Sequence, residues 1–147
     1  GWYNVEDGTN PGFLYQQNTM RDAMIAGVTL NIFNNHAERV RGANLAQTIN
    51  VLQAVILTKE DKMILTPTYH AMEMYNVHQD AKLLPITVSS NDYIFGNDRL
   101  PAVSASASVD SKGLTHISLV NIDSKKPQQV EINLYFNLFY VARPQYF

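Results

Sequence analysis

The chain has 147 residues, of which 46% are hydrophobic and 16% charged, enough for one domain with its own core and too apolar for a disordered segment. A formal net charge of −2 offers no basic face to nucleic acid, and the absence of cysteine removes disulfides and thiolate zinc sites. No apolar run approaches the roughly 18 residues of a membrane span.

Residues 1–17, GWYNVEDGTNPGFLYQQ, carry the turn signals Asp7-Gly8 and Asn10-Pro11-Gly12 and read as a loop. An opening on Gly1-Trp2-Tyr3, without an initiator Met or a signal segment, reads as a cut inside a structured region, which leaves the localisation unknown. Asn18 is the expected helix cap. Met20, Ala23, Met24, Gly27, Leu30 and Phe33 follow at helical spacing, predicting a helix Thr19–Ala37 that ends in Asn34-Asn35-His36. An extended segment Arg39–Gln47 comes next, then the apolar run Val51–Leu57 and the charged turn Lys59–Lys62. Within that run, Gln53 reads as a packing residue or a partner for the backbone. Pro67 suits the first turn of a second helix, Thr68–His78. Helix, strand, helix is an α/β order.

After Asp80 the period changes to two. Ile86–Val88, Leu100–Ser108, Thr115–Asn121 and Val130–Leu134 read as strands, separated by Asp110–Gly113 and Ser124–Pro127. Strands at this spacing predict an antiparallel sandwich, with a domain boundary at residues 80–85.

The four histidines, His36, His70, His78 and His116, show no helical zinc spacing with a flanking glutamate, so no metal is expected. His70 and Glu73 share a helix face as a solvated pair. Glycoside hydrolysis requires two cooperating carboxyl groups. Glu6 and Asp7 lie in the first loop, and Glu38, Glu60, Glu73 and Glu131 lie in polar contexts, with no convincing acid and nucleophile among them. Trp2, Tyr3, Phe13 and Tyr15, interleaved with Gly, Asn and Gln, suit either a sugar-stacking cleft or packing on the adjacent helix.

The stretch WYNVEDGTNPGFLYQQNTMRDAMIAGVTLNIFNNHAERVRGANLAQTINVLQAVILT, followed by MILTPTYHAMEMYNVHQDAKLLP, resembles the family 51 α-L-arabinofuranosidases from Trp2 to Pro85, and PAVSASASVDSKGLTHISLVNID resembles them more weakly. The resemblance implies an α/β plus all-β fold: a (β/α)8 TIM barrel followed by a jelly-roll-like antiparallel β-sandwich. It also implies a retaining glycosidase that removes terminal non-reducing α-L-arabinofuranosyl residues from arabinose-containing plant polysaccharides with two glutamates and no cofactor. The family's nucleophile lies in an Asp-Glu-Trp motif shortly before a Trp-Tyr pair, which Trp2-Tyr3 matches. Both catalytic glutamates would therefore lie upstream of Gly1, and the isolated chain would be inactive.

On this resemblance residues 1–80 are the C-terminal part of the barrel and residues 81–147 an incomplete β-sandwich domain. Thr19–Ala37 would be helix seven, Arg39–Gln47 strand eight and Pro67–His78 helix eight. Because a barrel takes roughly 250 residues, only its last part fits here. Gln47 matches a glutamine that hydrogen-bonds the arabinose, and Trp2 matches an aromatic lining the leaving-group subsite. The implied partner is an arabinofuranosyl-containing oligo- or polysaccharide, with a homo-oligomer of the intact enzyme left open. After Ile132 the stretch NLYFNLFYVARPQYF departs from the family's strand pattern. Two rivals remain: a non-catalytic carbohydrate-binding module on residues 80–147, which contain no Trp, and an endoglucanase of the same family.

Overall fold

A helix starts where the chain can satisfy its first free amides, and that happens one residue later than the sequence suggests. In the computed structural model, which describes residues 7–8 and 18–135, helix α1 spans Met20–Asn35 with Thr19 rather than Asn18 at its cap. The third residue of the helix decides this: Asp22 Oδ2 accepts the Thr19 amide at 2.7 Å, closing a capping box and placing a carboxylate at the positive end of the helix. The helix ends at the expected Asn34-Asn35-His36 cluster. Its buried positions are Asp22, Gly27 and Asn31, whereas Met20, the first apolar residue of the expected stripe, stands in solvent.

The expected strand at Arg39–Gln47 is absent, and this segment is irregular. A parallel barrel strand needs a hydrogen-bonded neighbour on each edge. Among the described residues the one parallel pairing is an isolated bridge, Ile49 with Ile56, and every ladder is antiparallel. The apolar run instead feeds a hairpin, β1 (Ile56–Lys59) and β2 (Lys62–Leu65), turned by the predicted charged residues with Glu60 at φ +56°. Helix α2 then spans Pro67–Met74 and tightens into a 3₁₀ turn, Tyr75–His78, in place of one continuous helix. Thr66 Oγ caps α2 by accepting the Tyr69 amide, and its hydroxyl donates to the Ala54 carbonyl at 3.0 Å.

The main sheet has the order β3–β6–β7, with β3 at Lys82–Leu84, β6 at Val103–Val109 and β7 at Thr115–Asn121. A separate hairpin pairs β4 (Asp92–Phe95) with β5 (Asp98–Pro101). The predicted β6–β7 turn is present: Gly113 takes φ +80°, and Asp110 Oδ1 accepts the Lys112 and Leu114 amides. Three strand expectations are corrected. Ile86–Val88 is irregular and the nearby strand is Lys82–Leu84; Leu100 belongs to β5 rather than β6; and Val130–Leu134 finds no sheet partner among the described residues and leaves Val130, Ile132 and Leu134 exposed.

The described residues thus form a small mixed α/β unit with antiparallel sheets, and the TIM barrel itself is not in the chain. Helix α1 lies directly on β6 and β7. That approach needs a glycine: a Cβ on Gly27 would meet Val120 Cγ2 at 2.8 Å. The buried apolar residues are small, mostly alanines such as Ala37, Ala54, Ala105 and Ala107, whereas Met63, Ile64, Ile94, Phe95 and Leu100 are exposed. A core of alanines buries little apolar area, since stabilisation scales at about 25 cal/mol per Å² removed from water.

Candidate functional site

Serine and alanine alternate along β6, so one face of the strand is a row of hydroxyls, Ser104, Ser106 and Ser108. In β7, Val120, Ser118 and His116 lie opposite them and share that face. Helix α1 meets the row with amides. Asn31 Nδ2 donates to Ser104 Oγ at 3.2 Å, Ser106 Oγ donates to Asn31 Oδ1 at 2.7 Å, and Asn34 Nδ2 donates to Ser106 Oγ at 3.1 Å. The Tyr75 hydroxyl reaches the same Asn31 Oδ1 at 2.8 Å and the Gly27 carbonyl at 2.9 Å. His78 completes the seam, with Nδ1 2.7 Å from Ser108 Oγ and Nε2 2.8 Å from Ser118 Oγ. Asn31, Ser106 and Ser108 are fully buried and His78 is 2% exposed, so each polar atom depends on these partners.

Burial pushes the Tyr75 hydroxyl up to about 12, partly offset by a hydrogen bond with Ser118, so it remains a protonated donor. Burial also pulls His78 below the ordinary imidazole value, and the neighbouring His116 charge adds to the effect. Asp110 is held below the usual carboxylate range chiefly by the hydrogen bond from His116, at 3.0 Å, and further by the Leu114 and Lys112 amides. His78 therefore links stability to pH. The unfolded chain takes up a proton near its ordinary value of about 6.5, and the folded chain does so only at lower pH. The stability contributed by neutral His78 is therefore fully present above that value and is lost as pH falls towards the folded one. Thermal midpoints of the intact enzyme from about pH 8 to about pH 5 should fall more steeply for wild type than for His78→Gln; parallel profiles would remove His78 from the acid loss.

Between α1, the segment after it and the 3₁₀ turn lies a recess of about 150 Å³, lined in part by Phe33, Asn34, Arg41, Tyr75 and Gln79. Ordinary ligand pockets start at about 300 Å³, so this recess is too small to be the sugar site by itself. His70 and Glu73 form an exposed contact at 3.3 Å. Among the described residues no three His, Asp or Glu side chains gather as metal donors.

Gln47 does not stand at the end of a strand. It is exposed in an irregular segment, just before the point where the chain is tied to β1. Trp2, with Tyr3, Glu6, Phe13 and Tyr15, lies outside the described residues. Gln53 is buried, as a packing role requires, and its Nε2 donates to Asp22 Oδ1 at 3.2 Å. Sequence reasoning missed the Asn31–Ser106–His78 seam. Its available signal was the serine at every second position of β6, facing an asparagine-rich helix.

The profile of the family described as "Alpha-L-arabinofuranosidase C-terminal domain" matches residues 1–136. An intracellular exo-α-L-arabinofuranosidase of Bacteroides ovatus is 48% identical over 134 residues, covering 90% of this chain and 26% of that protein. A family 51 arabinofuranosidase from Xanthomonas axonopodis pv. citri superposes with a TM-score of 0.78 at 52% identity, over 83% of this chain and 25% of that one. A family 51 α-L-arabinofuranosidase from Bifidobacterium longum shares the fold, with a TM-score of 0.64 at 24% identity over 74% of this chain and 21% of its own. The chain spans about a quarter of the length of these relatives. Sequence and fold thus bear out the resemblance read from Trp2 to Pro85, and the chain belongs to the α-L-arabinofuranosidase C-terminal domain family of the glycoside hydrolase family 51 enzymes.

Proposed function

We propose that this chain serves a retaining glycosidase that removes terminal non-reducing α-L-arabinofuranosyl residues from arabinose-containing plant glycans. The observation that carries the reading is 48% identity, over 90% of the chain, to an exo-acting arabinofuranosidase. Residues 1–80 are assigned to the closing part of the catalytic domain and residues 81–147 to the β-domain. The exposed Met63, Ile64, Ile94 and Phe95 fit a piece whose apolar surface is covered by the rest of the enzyme. Catalysis is assigned to two glutamates outside this chain, standing about 5–5.5 Å apart as in retaining enzymes. The Gln47 amide hydrogen-bonds sugar hydroxyls, and Trp2 lines the leaving-group side.

The intact gene product should release arabinose from an aryl α-L-arabinofuranoside with retained configuration, read by proton NMR of the first-formed product. Internal cleavage of a soluble β-glucan without arabinose release would favour the endoglucanase reading. Turnover by residues 1–147 alone, abolished by Glu6→Gln, would place a catalytic carboxylate within this chain.

A further inference from the structure

The segment that follows Gln47 is held in place by contacts that contribute little to the core. Two backbone bonds join it to β1: the Asn50 amide donates to the Ile56 carbonyl at 3.1 Å, and the Ile56 amide donates to the Thr48 carbonyl at 3.0 Å. The Asn50 side chain adds a two-point clasp. The Thr58 amide donates to Asn50 Oδ1 at 2.7 Å, and Asn50 Nδ2 donates to Thr58 Oγ at 2.8 Å. Both clasp bonds are exposed, where water competes for the same groups, so their loss should leave the fold intact.

The backbone supports the same point. Asn50 sits at φ +58°, a left-handed conformation that asparagine and glycine tolerate best. Leu52 follows at φ +54°, which leucine rarely adopts. The stretch between the bridged Ile49 and Ile56, with two left-handed residues, is held by its contacts rather than relaxed into an ordinary loop. Its outgoing end is anchored as well, through Gln53 on the Asp22 carboxylate. What the clasp can change is therefore the direction in which the chain leaves Thr48, and so where the Gln47 amide stands.

We infer that Asn50 is a positioning residue for the arabinofuranosidase reaction: by clasping Thr58 it sets the place of the Gln47 side chain that holds the sugar. This rests on the assignment of Gln47 made above. The group itself touches no sugar. Its effect passes through Gln47, and small misplacements of a binding group lower rate steeply.

The test is a cycle of variants in the full-length enzyme. Asn50→Gly keeps the left-handed backbone and deletes only the clasp; Thr58→Val deletes one of its two bonds. Asn50→Gly is expected to lower kcat/KM by about tenfold with an unchanged thermal midpoint, and Thr58→Val by less. In a Gln47→Ala background neither should cause further loss, an outcome that a merely structural role would not produce. If Gln47→Ala is impaired while Asn50→Gly and Thr58→Val stay within about twofold of wild type, the positioning role is overturned and Gln47 stands. It is also overturned if Asn50→Gly lowers activity equally with and without Gln47. If Gln47→Ala keeps wild-type kinetics, the assignment of Gln47 fails and the inference fails with it.

Discussion

Replacing Asn31 by alanine should destabilise the unit by about 2–4 kcal/mol. The side chain is fully buried and serves three partners, Ser104, Ser106 and Tyr75. Truncation leaves the Ser106 hydroxyl without its acceptor and the Ser104 oxygen without its donor. A buried polar group stranded in this way costs about 1–3 kcal/mol, which applies in full to Ser106; half-buried Ser104 loses less, and the deleted amide leaves a small void. Tyr75 suffers less, because its hydroxyl still reaches the Gly27 carbonyl. Two controls separate polar loss from lost volume. Asn31→Leu refills the space but strands the same serines, so it should rescue little; Asn31→Leu with Ser104→Ala and Ser106→Ala removes the stranded groups and should recover much of the loss. Unfolding of the intact enzyme by urea, with the midpoint and slope compared across the series, gives the answer. Asn31→Ala indistinguishable from wild type, or strict additivity in the triple variant, would show that the seam contributes no such energy.

The seam also shows why some of this fold was legible in the sequence and some was not. Local signals were read well where a local cause set the outcome. Helix α1 follows from spacing, α2 from Pro67, and the β6–β7 turn from Asp110 and Gly113, whose backbone at φ +80° suits glycine. The cap falls at Thr19 instead of Asn18 because a carboxylate three residues on, Asp22, closes the capping box there. The buried face of α1 was misread because its partners lie far along the chain: Asn31 meets Ser104 and Ser106 across 73 and 75 positions. A stripe of Met, Leu and Phe at helical spacing suggested an apolar contact. The sheet presents hydroxyls, so the helix buries an amide and a glycine there instead.

Segment Arg39–Gln47 failed for a different reason. Strand pairing is a property of neighbours, and among the described residues nothing lies beside this segment to form a ladder. Gln47 was found through the family resemblance rather than through periodicity, and its exposure in an irregular segment is compatible with a binding role on a loop held by a scaffold. The Asn50 clasp had no local signature beyond an asparagine near an apolar run.

Gln47→Ala in the full-length enzyme should lower kcat/KM on an arabinofuranoside by roughly ten- to a hundredfold, the loss of one hydrogen bond, about 1.5–3 kcal/mol, that strengthens in the transition state. Gln53→Ala is the matched control, six positions on, and the structure makes it a sharper one. Gln53 is 7% exposed and donates to the Asp22 carboxylate, which is itself fully buried at the start of α1. Its removal takes a donor from a buried charge, so it should lower the unfolding midpoint. Once folded, the variant keeps the Gln47 amide, and its kinetics should remain close to wild type. Gln47 is exposed and anchors nothing in the core, so the opposite pattern holds: kinetics fall and the midpoint stays. The two variants therefore cross, one moving rate and the other stability. Measuring both quantities on both proteins excludes a trivial explanation by partial unfolding. Should Gln47→Ala retain wild-type kcat/KM, its assignment to the sugar is wrong; should Gln53→Ala lose rate at full stability, the anchor on Asp22 reaches the sugar site more directly than its buried position implies.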